Sequence, residues 1–558
     1  MANLLVDERD VKFVLYEQLD IEQLSNTAKY AEYSKEMYDL VLEQAWKLAE
    51  NEMAPANRKG DEQGCVWEDG KVRVPESYHR PYEMYKQGGW LSMAEAAEVG
   101  GQGFPVVMGL ATIEAFGAAN LSLFLYPGLT HGAARLLEVY GTEEQQRTFM
   151  DKLYTGEWSG TMCLTEPQAG SDVGALRTKA ILNDDGTYSI SGTKIFISCG
   201  EHDLTENIVH MVLARIEGAP AGTRGISLFI IPKLRPENGG LVDNDVVCPG
   251  IEHKLGIHGS ATSTLNFGEN NNCIGYLLGE ANQGMRIMFQ MMNESRLFVG
   301  MQGQSHASTA YLYALQYSKE RTQGSDASRI KDPTAPRVAI INHPDVRRML
   351  MFMKSVSEGL RALLYYVGFC DDLVRSAEND QEREKYQDFI DILIPVCKAY
   401  GSDMGFRVCE TAIQVLGGYG YCQEYPLERL YRDERINRIF EGTNEINRMV
   451  IYGYFLKKAL MEELPVRDAG KVMGLSSYGD PEAYYGRFEK IVKFRPGGRV
   501  DFDLDYLKHE RGIRSCRKFI REFGEPRRPE PGPLLPAPGP AWRPGRPSAQ
   551  LRASPEPG

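Results

Sequence analysis

Apolar residues recur at intervals of three and four through the first part of the chain, from AEYSKEMYDLVLEQAWKLAENEMAP to HGAARLLEVYGTEEQQRTFMDKLYTG. This spacing lines apolar side chains along one face of an α-helix. It predicts a helical domain from residue 25 to about 155. With the N-terminal extension that precedes it, this domain is expected to occupy residues 1–158.

The pattern then changes to short segments rich in β-branched and aromatic residues: TYSISGTKIFISCG, NIVHMVLARI, GISLFIIPKL and STLNFG. Glycine, asparagine, aspartate and proline separate these segments, as is typical of turns between strands. We therefore predict a compact β domain over residues 159–280.

Helical spacing returns at Met285 and continues through four long segments, which begin at residues 284, 343, 388 and 444. The connections between them are short, which favours a bundle of neighbouring helices over residues 281–463. The chain as a whole is therefore expected to be an α+β multidomain protein.

The last stretch departs from these patterns. Of 29 prolines, 11 fall within residues 526–558, where lysine and aspartate are absent. Such a composition cannot bury a core and predicts disorder. Either this is a linker-like tail, or the reading frame has shifted and replaced the natural C-terminus. We favour the second interpretation, because the change is abrupt after the plausible helical segment DYLKHERGIRSCRKFI in the expected C-terminal extension, residues 464–525.

Composition narrows the functional classes. The net charge of −13 argues against a general role on nucleic acid or at a membrane surface, since both require a basic footprint. The ten cysteines show no C-x-x-C pair and no metal-ligand spacing, which favours reduced thiols and no metal site. No run of about 18 apolar residues and no export signal is evident. We expect a soluble cytoplasmic protein with no membrane insertion.

Three sequence blocks carry the strongest functional signal: MCLTEPQAGSDVGALRTKA, then YSISGTKIFISCG, and finally AIQVLGGYGYCQEYPLERLYRDERINRIFEGTNEINR. In this order and at these separations they resemble the acyl-CoA dehydrogenase flavoprotein family, over residues 35–460. The N-terminal extension and the loop KLGIHGSATSTLNFG more narrowly resemble its larger, methylmercaptopropionyl-CoA dehydrogenase-like branch. The resemblance implies a central β-barrel-like domain and a C-terminal four-helix-bundle domain.

The resemblance also implies that the chain binds FAD, although it lacks the G-x-G-x-x-G strand-helix unit of a Rossmann domain. By resemblance, Met162, Leu164 and Thr165 line the flavin ring, and Ser171 faces the substrate thioester or the flavin phosphates. The glycine-containing turn could bring hydroxyls and backbone N–H groups close to a flat heterocycle. A plain β-turn would explain the same residues.

Phe196 and Ser198 stand two apart in a predicted strand and therefore point to one side. By resemblance, Phe196 stacks on the flavin where many relatives have Trp, and Ser198 keeps a hydroxyl that could donate to the flavin N5. The alternative is a core Phe beside an edge Ser.

The family places its cofactor across subunits, which predicts a homo-oligomer, either a dimer or the tetramer usual in the family. The residues that match the adenine and pyrophosphate contacts are Arg321, Gln414, Gly417 and Gly418. An Arg can neutralise a pyrophosphate, and paired glycines let backbone approach it. A surface Arg and a helix C-cap remain the alternatives.

The stretch FEGTNEINR places two carboxylates one helical turn apart. By resemblance, Glu441 is the catalytic base, Gly442 lets the chain pass close to the substrate, and Thr443 and Glu445 contact the cofactor. An acidic helix start is the plain alternative, since acidic residues favour a helix N-terminus.

Asn293 and Arg296 lie three residues apart, on one face of a predicted helix, and could engage the pantetheine and phosphate of coenzyme A. A solvated helix face is the alternative. Some relatives carry their base just before this Arg, where the present chain has Ser295. Glu294 is one residue out of register and is the fallback candidate for the base.

The resulting hypothesis is an FAD-dependent acyl-CoA dehydrogenase that forms a 2,3-enoyl-CoA and passes electrons to an electron-transferring flavoprotein. Two alternatives remain: an acyl-CoA oxidase that uses oxygen, and a non-catalytic, nucleic-acid-associated flavoprotein of the same superfamily. Peroxide formation would identify the first, and salt-dependent DNA binding the second.

Overall fold

Helices precede and follow a central sheet, in the order that the spacing of apolar residues predicts. The structure, a computed structural model, describes residues 3–461, 492–495 and 499–502. The chain divides into two compact units, Met1–Leu460 and Met461–Gly558. All three sequence-predicted layers, helical, β and helical, lie in the first unit.

The described α-helices are α1 (Glu8–Lys12), α2 (Lys35–Leu48), α3 (Ala54–Gln63), α4 (His79–Gln87), α5 (Val106–Tyr140), α6 (Glu143–Gln145), α7 (Asp151–Tyr154), α8 (Gly284–Glu320), α9 (Pro344–Ser376), α10 (Asp380–Leu416), α11 (Leu427–Glu434) and α12 (Asn444–Leu460). The described strands are β1 (Val66–Glu68), β2 (Lys71–Arg73), β3 (Trp158–Cys163), β4 (Lys179–Leu182), β5 (Tyr188–Ser198), β6 (Asn207–Ile216), β7 (Ile226–Pro232), β8 (Leu234–Glu237), β9 (Gly240–Asp243), β10 (Val246–Ile251), β11 (Thr262–Phe267), β12 (Ile274–Leu277), β13 (Thr322–Ser325), β14 (Arg337–Ala339), β15 (Val492–Arg495) and β16 (Arg499–Phe502).

The central helix of the first domain, α5, is interrupted at Asn120, whose φ of −160° and ψ of 86° are not helical. The Asn120 side-chain oxygen accepts the Leu123 N–H at 3.1 Å and so caps the second half of the helix. By length and composition α5 could cross a membrane, but 83% of its most apolar window is buried within the protein. It is therefore the core helix around which this domain packs.

The central sheet closes on itself. Strands β5, β12, β7 and β6 pair in that order, and β4 pairs with both β5 and β6. Each strand of this circuit therefore pairs on both sides, and only β3 and β10 end the described sheet. The circuit confirms the barrel-like β domain expected from the sequence. Strand β6 also pairs in parallel with β3, from Trp158 opposite Asn207 to Cys163 opposite Val212.

The four long helices predicted from spacing are confirmed as α8, α9, α10 and α12. Helix α10 packs against α8, α9 and α12, which places it at the centre of the bundle. The short helix α11, which follows α10 and precedes α12 in the chain, packs against α10 and α8 and was not predicted.

The N-terminal extension packs onto the bundle. The Thr309 hydroxyl of α8 donates to the Leu5 carbonyl at 3.0 Å, and just after the extension the Tyr30 hydroxyl donates to Asp372 of α9 at 2.9 Å. Asp372 also accepts the N–H groups of Val106 and Val107 at 2.6 and 3.0 Å, so a residue of α9 caps the N-terminus of α5.

In the second unit the described residues are the antiparallel strands β15 and β16, which pair Val492 with Phe502 and Arg495 with Arg499. The predicted tail, residues 526–558, and the rest of the predicted C-terminal extension lie outside the described residues. The domain boundaries drawn from the sequence remain predictions.

Candidate active site

A cavity of about 440 Å³ lies within the first unit, and its lining includes residues of α5, α8, α9 and α10. Most of the lining is apolar and includes Ile113, Leu125 and Val299. Ser198, at the end of β5, and Glu441 also line it. The cavity therefore brings together two residues that lie far apart in the sequence and that were both predicted to belong to the site.

Glu441 lies in an unusual backbone conformation. Its φ is +56°, and that of Gly442 is +76°, so two successive residues adopt left-handed geometry. A non-glycine residue rarely takes this conformation unless its surroundings enforce it. The Asn447 side chain provides part of that support by donating to the Gly442 carbonyl at 2.8 Å and to the Thr443 carbonyl at 3.1 Å.

Lys398 of α10 also holds this turn in place. Its buried ammonium group donates to the Gly442 carbonyl at 2.8 Å and to the Asn444 side-chain oxygen at 2.9 Å. Ser402, one turn later on α10, also exchanges hydrogen bonds with Asn444. The turn is thus fixed to the central helix of the bundle.

Burial raises the pKa of the Glu441 carboxyl to about 7, against the opposing influence of the positive charges on Arg296 and Lys398. Its Oε2 atom is buried and has no hydrogen-bond partner in the part of the chain that the structure describes. The carboxylate therefore faces the cavity with a free acceptor atom and a proton affinity suited to neutral pH.

The other carboxylate of this stretch has a different environment. Glu445 is 77% exposed, and hydrogen bonding to its own backbone N–H lowers the pKa of its carboxyl. Thr443 lies between the two and accepts the Ile446 N–H at 3.3 Å, as a residue before a helix does. An acidic helix start describes Glu445 but does not describe Glu441.

Asn293 and Arg296 meet on α8, where an Arg296 guanidinium N–H donates to the Asn293 side-chain oxygen at 3.1 Å. Arg296 is only 3% exposed, so the solvated helix face considered above does not apply to it. Asn293 lines the cavity, and Arg296 lies close to Gly442. The pair thus lies beside the Glu441 turn.

Glu294 of α8 also lines the cavity, where it faces His131 and Arg135 of α5. Its carboxylate oxygens lie 3.8 Å from His131 and 4.0 Å from Arg135. Burial raises the pKa of this carboxyl as well. Its Oε2 atom, like that of Glu441, is buried and has no hydrogen-bond partner among the described residues, but Glu294 stands on the regular helix α8.

The residues expected to line the flavin ring lie where β3 ends beside β5. The Ile195 N–H donates to the Thr165 carbonyl at 2.9 Å, which brings Thr165 next to Phe196. Met162 and Leu164 are partly buried against the main core. Ser171 lies in the exposed loop that follows.

The regular alternation assumed for Phe196 and Ser198 is interrupted. Strand β5 gains one residue relative to β11 between Lys194 and Ile197, and Phe196 adopts a left-handed φ of +58°. This is a β-bulge, which turns a side chain away from its expected direction. The Phe196 ring is 58% exposed, whereas Ser198 reaches the cavity.

Arg321, Gln414, Gly417 and Gly418 are exposed and do not line the cavity. They lie at one end of the bundle, because Tyr317, one turn before Arg321, approaches Tyr419 with ring centroids 6.4 Å apart. The structure therefore brings these four residues into one region, apart from Glu441.

Two buried lysines near the site were missed. Lys194 forms an ion pair of 2.8 Å with Glu166, and Glu166 also accepts the N–H groups of Arg177 and Thr178. This pair fixes the loop that carries Ser171. The sequence does contain one indication of their burial. Each lysine lies within an apolar run, TKIFI for Lys194 and IPVCKAY for Lys398.

Family models match the chain over most of its length. The N-terminal, middle and C-terminal domains of acyl-CoA dehydrogenase match residues 35–157, 161–269 and 282–453, respectively.

Curated relatives are similar to the chain over most of its length. 3-Methylmercaptopropionyl-CoA dehydrogenase of Ruegeria pomeroyi is 42% identical over 448 residues, covering 80% of this chain and 75% of the relative. Butyryl-CoA dehydrogenase of Syntrophomonas wolfei subsp. wolfei is 42% identical over 456 residues, covering 80% and 74%. Among solved structures, acyl-CoA dehydrogenase complexed with FAD from Bacillus anthracis is similar with a TM-score of 0.65 and 26% identity, covering 84% of this chain and 75% of that one.

Proposed function

The chain belongs to the acyl-CoA dehydrogenase family of enzymes, and from this we propose that Glu441 removes the α-proton of an acyl-CoA while a hydride leaves the β-carbon. The product is a 2,3-enoyl-CoA. The observation that carries this proposal is the free Oε2 atom of Glu441, held at the wall of an apolar cavity by a left-handed turn.

The residues around Glu441 prepare it for proton abstraction. Burial favours the protonated acid, and the positive charges of Arg296 and Lys398 favour the carboxylate, so the pKa is near 7. A base with this pKa is partly deprotonated at neutral pH and still holds the abstracted proton well. The Glu441 backbone N–H, presented by the same turn, polarises the thioester carbonyl by donating a hydrogen bond, as in an oxyanion hole.

Asn293 and Ser171 are proposed to contact the substrate beside the reacting carbons, and Gly442 lets the thioester approach the backbone. Arg296 contributes mainly by holding the Glu441 carboxylate, because it is buried beside the turn. This assignment differs from the phosphate contact that helix spacing led us to expect. The two roles can be distinguished, since loss of a phosphate contact raises KM, whereas loss of a positioning charge lowers kcat.

The enzyme is FAD-dependent, as are the members of its family, and the chain offers a surface that fits the flavin ring. The exposed Phe196 ring on the bulge provides a flat apolar face, with Thr165 and Ser198 beside it as hydrogen-bonding groups. Met162 and Leu164 complete the proposed ring contacts. When bound there, FAD supplies a two-electron acceptor for the hydride.

The adenine end of the cofactor is proposed to meet Arg321, Gln414, Gly417 and Gly418 of a second copy of the chain, with Thr443 and Glu445 contacting the cofactor near the base. All six residues are at least partly exposed in a single copy. Gly417 has a left-handed φ of +61°, and no atom of the described chain lies within 4 Å of the position that a side chain would occupy. Such an arrangement requires a homo-oligomer, and an electron-transferring flavoprotein is the proposed electron acceptor.

The experiment that tests the base is rapid anaerobic mixing of the Glu441→Gln enzyme with an acyl-CoA, followed by flavin absorbance. Gln keeps the shape of Glu but cannot accept the α-proton. We expect flavin binding to remain and the rate of reduction to fall by at least about 10³-fold, or ~4 kcal/mol of barrier.

The matched control is Glu445→Gln, which makes the same change one helical turn later. It should retain reduction and alter mainly the affinity for the cofactor. Normal reduction by the Glu441→Gln enzyme would exclude Glu441 as the base and transfer the role to Glu294.

A further inference from the structure

One buried amide on the cavity wall has no partner. Gln302 of α8 is 2% exposed and lines the cavity. Both polar atoms of its side chain, Oε1 and Nε2, lack a hydrogen-bond partner within the described part of the chain. Buried polar atoms are paired in the great majority of cases, so an unpaired amide that faces a cavity marks a position where a ligand group can bind.

Gln302 stands beyond the reacting carbons. It follows Arg296, which lies beside the Glu441 turn, by six residues, or about 9 Å along the axis of a helix. A chain of several carbons that starts at Glu441 can therefore reach the amide. Much of the surrounding wall is apolar and includes Ile113 and Val367.

The same helix provides a comparison. Gln304, two residues later, is equally buried and does not line the cavity; its Nε2 donates to Glu114 at 3.3 Å, and only its Oε1 lacks a partner among the described residues. The protein thus provides a partner for the amide nitrogen that points into the core and none for the amide that faces the cavity.

The charged residues of the cavity wall restrict the kind of group that can bind. Among the lining residues that the structure describes, each cationic side chain already has a carboxylate partner. His131 lies 3.1 Å from Glu95, Arg135 lies 2.6 Å from Glu138, and Arg375 lies 3.0 Å from Asp371. An additional carboxylate on the substrate would find no unpaired cation there.

We propose that Gln302 determines specificity for an acyl group that carries an uncharged hydrogen-bonding substituent, of the hydroxyl class, several carbons beyond the β-carbon. This inference rests on the proposed dehydrogenase function and names the substrate class of that site. A hydroxyl can accept from Nε2 or donate to Oε1. A methyl group in the same place would leave both amide atoms unpaired.

The test compares pairs of acyl-CoAs that differ by a terminal hydroxyl in place of a methyl, such as ω-hydroxypentanoyl-CoA and hexanoyl-CoA, with neighbouring chain lengths included. The measured quantity is the ratio of the two kcat/KM values, from anaerobic flavin reduction. In the wild-type enzyme we expect kcat/KM to be higher for the hydroxyl substrate than for its methyl counterpart at one chain length. Gln302→Met, which keeps the length of the side chain, should lower that ratio by about tenfold or more, since a buried amide is then no longer left unpaired.

The matched control is Gln304→Met, which makes the same change on the same helix outside the cavity and should leave the ratio unchanged. A ratio unaffected by Gln302→Met would overturn the inference, as would faster turnover of glutaryl-CoA than of either neutral substrate. Neither result bears on the proposed function, which is tested separately by whether any acyl-CoA reduces the flavin and by the Glu441→Gln enzyme.

Discussion

At the scale of single residues, the site depends on the different environments of two carboxylates, Glu441 and Glu445, which lie close together in the sequence. Glu441 is held in left-handed backbone at the cavity wall, whereas Glu445 is exposed. Burial raises the pKa of Glu441, and Arg296 and Lys398 limit that rise. The balance of these influences decides at what pH the base works.

The first prediction concerns pH. Because the base acts as a carboxylate and its pKa is near 7, kcat/KM should fall about tenfold per pH unit as the pH decreases below that value. The raised pKa disfavours the charged form, so activity is retained above pH 7 and lost below it. Measurement of flavin reduction from about pH 5 to 8 would reveal this decrease in kcat/KM. A flat profile down to about pH 5 would contradict the prediction.

The second prediction concerns Lys398, which contacts the turn but not the cavity. Lys398→Met removes a positive charge near Glu441 and one hydrogen bond to the Gly442 carbonyl. We expect the apparent pKa of the base to rise and kcat/KM at neutral pH to fall by about tenfold or more. Lys398→Arg, which keeps the charge, should shift the apparent pKa of the base less than Lys398→Met does.

Lys354→Met is the control for this substitution. Lys354 forms an ion pair with Glu358 on α9, away from the Glu441 turn. Its replacement should leave the pH profile unchanged. An unchanged apparent pKa in the Lys398→Met enzyme would mean that Lys398 has only a structural role.

At the scale of helices and strands, the sequence pattern predicted the elements but not their interruptions. Spacing predicted β6 and the four long bundle helices because long apolar patterns are strong signals. The break at Asn120 and the bulge at Phe196 were missed because both depend on distant partners. Asn120 accepts a hydrogen bond from Tyr78, and the bulge depends on the pairing of β5 with β11.

In the candidate site, too, some residues were predicted from the sequence and others were missed. Glu441 and Ser198 were predicted from motifs and lie at one cavity. Lys398 was not predicted, because the groups it binds lie 44 and 46 residues later in the chain. The position of Lys398 in the apolar run IPVCKAY indicates burial but does not identify its partners. The bulge at Phe196 likewise follows from register and not from composition.

The third prediction concerns the cap of α5. Asp372 accepts two N–H groups of α5 and the Tyr30 hydroxyl, so Asp372→Ala leaves buried donors unpaired. We expect a loss of about 2 to 3 kcal/mol in the free energy of unfolding, measured by urea denaturation. The neighbouring Asp371→Ala should cost less than about 1 kcal/mol, because Asp371 is one-third exposed and its partner Arg375 keeps a second carboxylate, Glu95, at 3.6 Å. Equal losses would show that Asp372 does not act as a cap.

At the scale of the first unit, the N-terminal extension is an integral part of the core. Arg361 of α9 is buried and forms ion pairs with Asp10 of α1 and with Glu114 of α5. One guanidinium thus connects the extension, the first domain and the bundle. Removing one partner of a buried ion pair leaves a charge uncompensated, which is costly.

The fourth prediction follows from this packing. Deleting residues 1–26 removes Asp10 and four fully buried apolar side chains: Val11, Leu15, Ile21 and Leu24. At about 1.5 to 3 kcal/mol for each, the loss should exceed about 5 kcal/mol. We expect a much lower melting temperature and impaired flavin retention. Deleting residues 526–558 should have little effect on either, because their composition predicts disorder. Equal melting temperatures for the two truncated proteins would contradict this contrast.

The contacts of the extension also impose a delay during synthesis. Asp10 is made 351 residues before Arg361, and Leu5 is made 304 residues before Thr309. At a translation rate of about 5 to 20 residues per second, Asp10 is made roughly 20 to 70 seconds before its partner. During that interval α9, against which residues 13–18 pack, is not yet complete. The extension therefore leaves the ribosome well before its native partners are made, and until then it is open to chaperones and proteases.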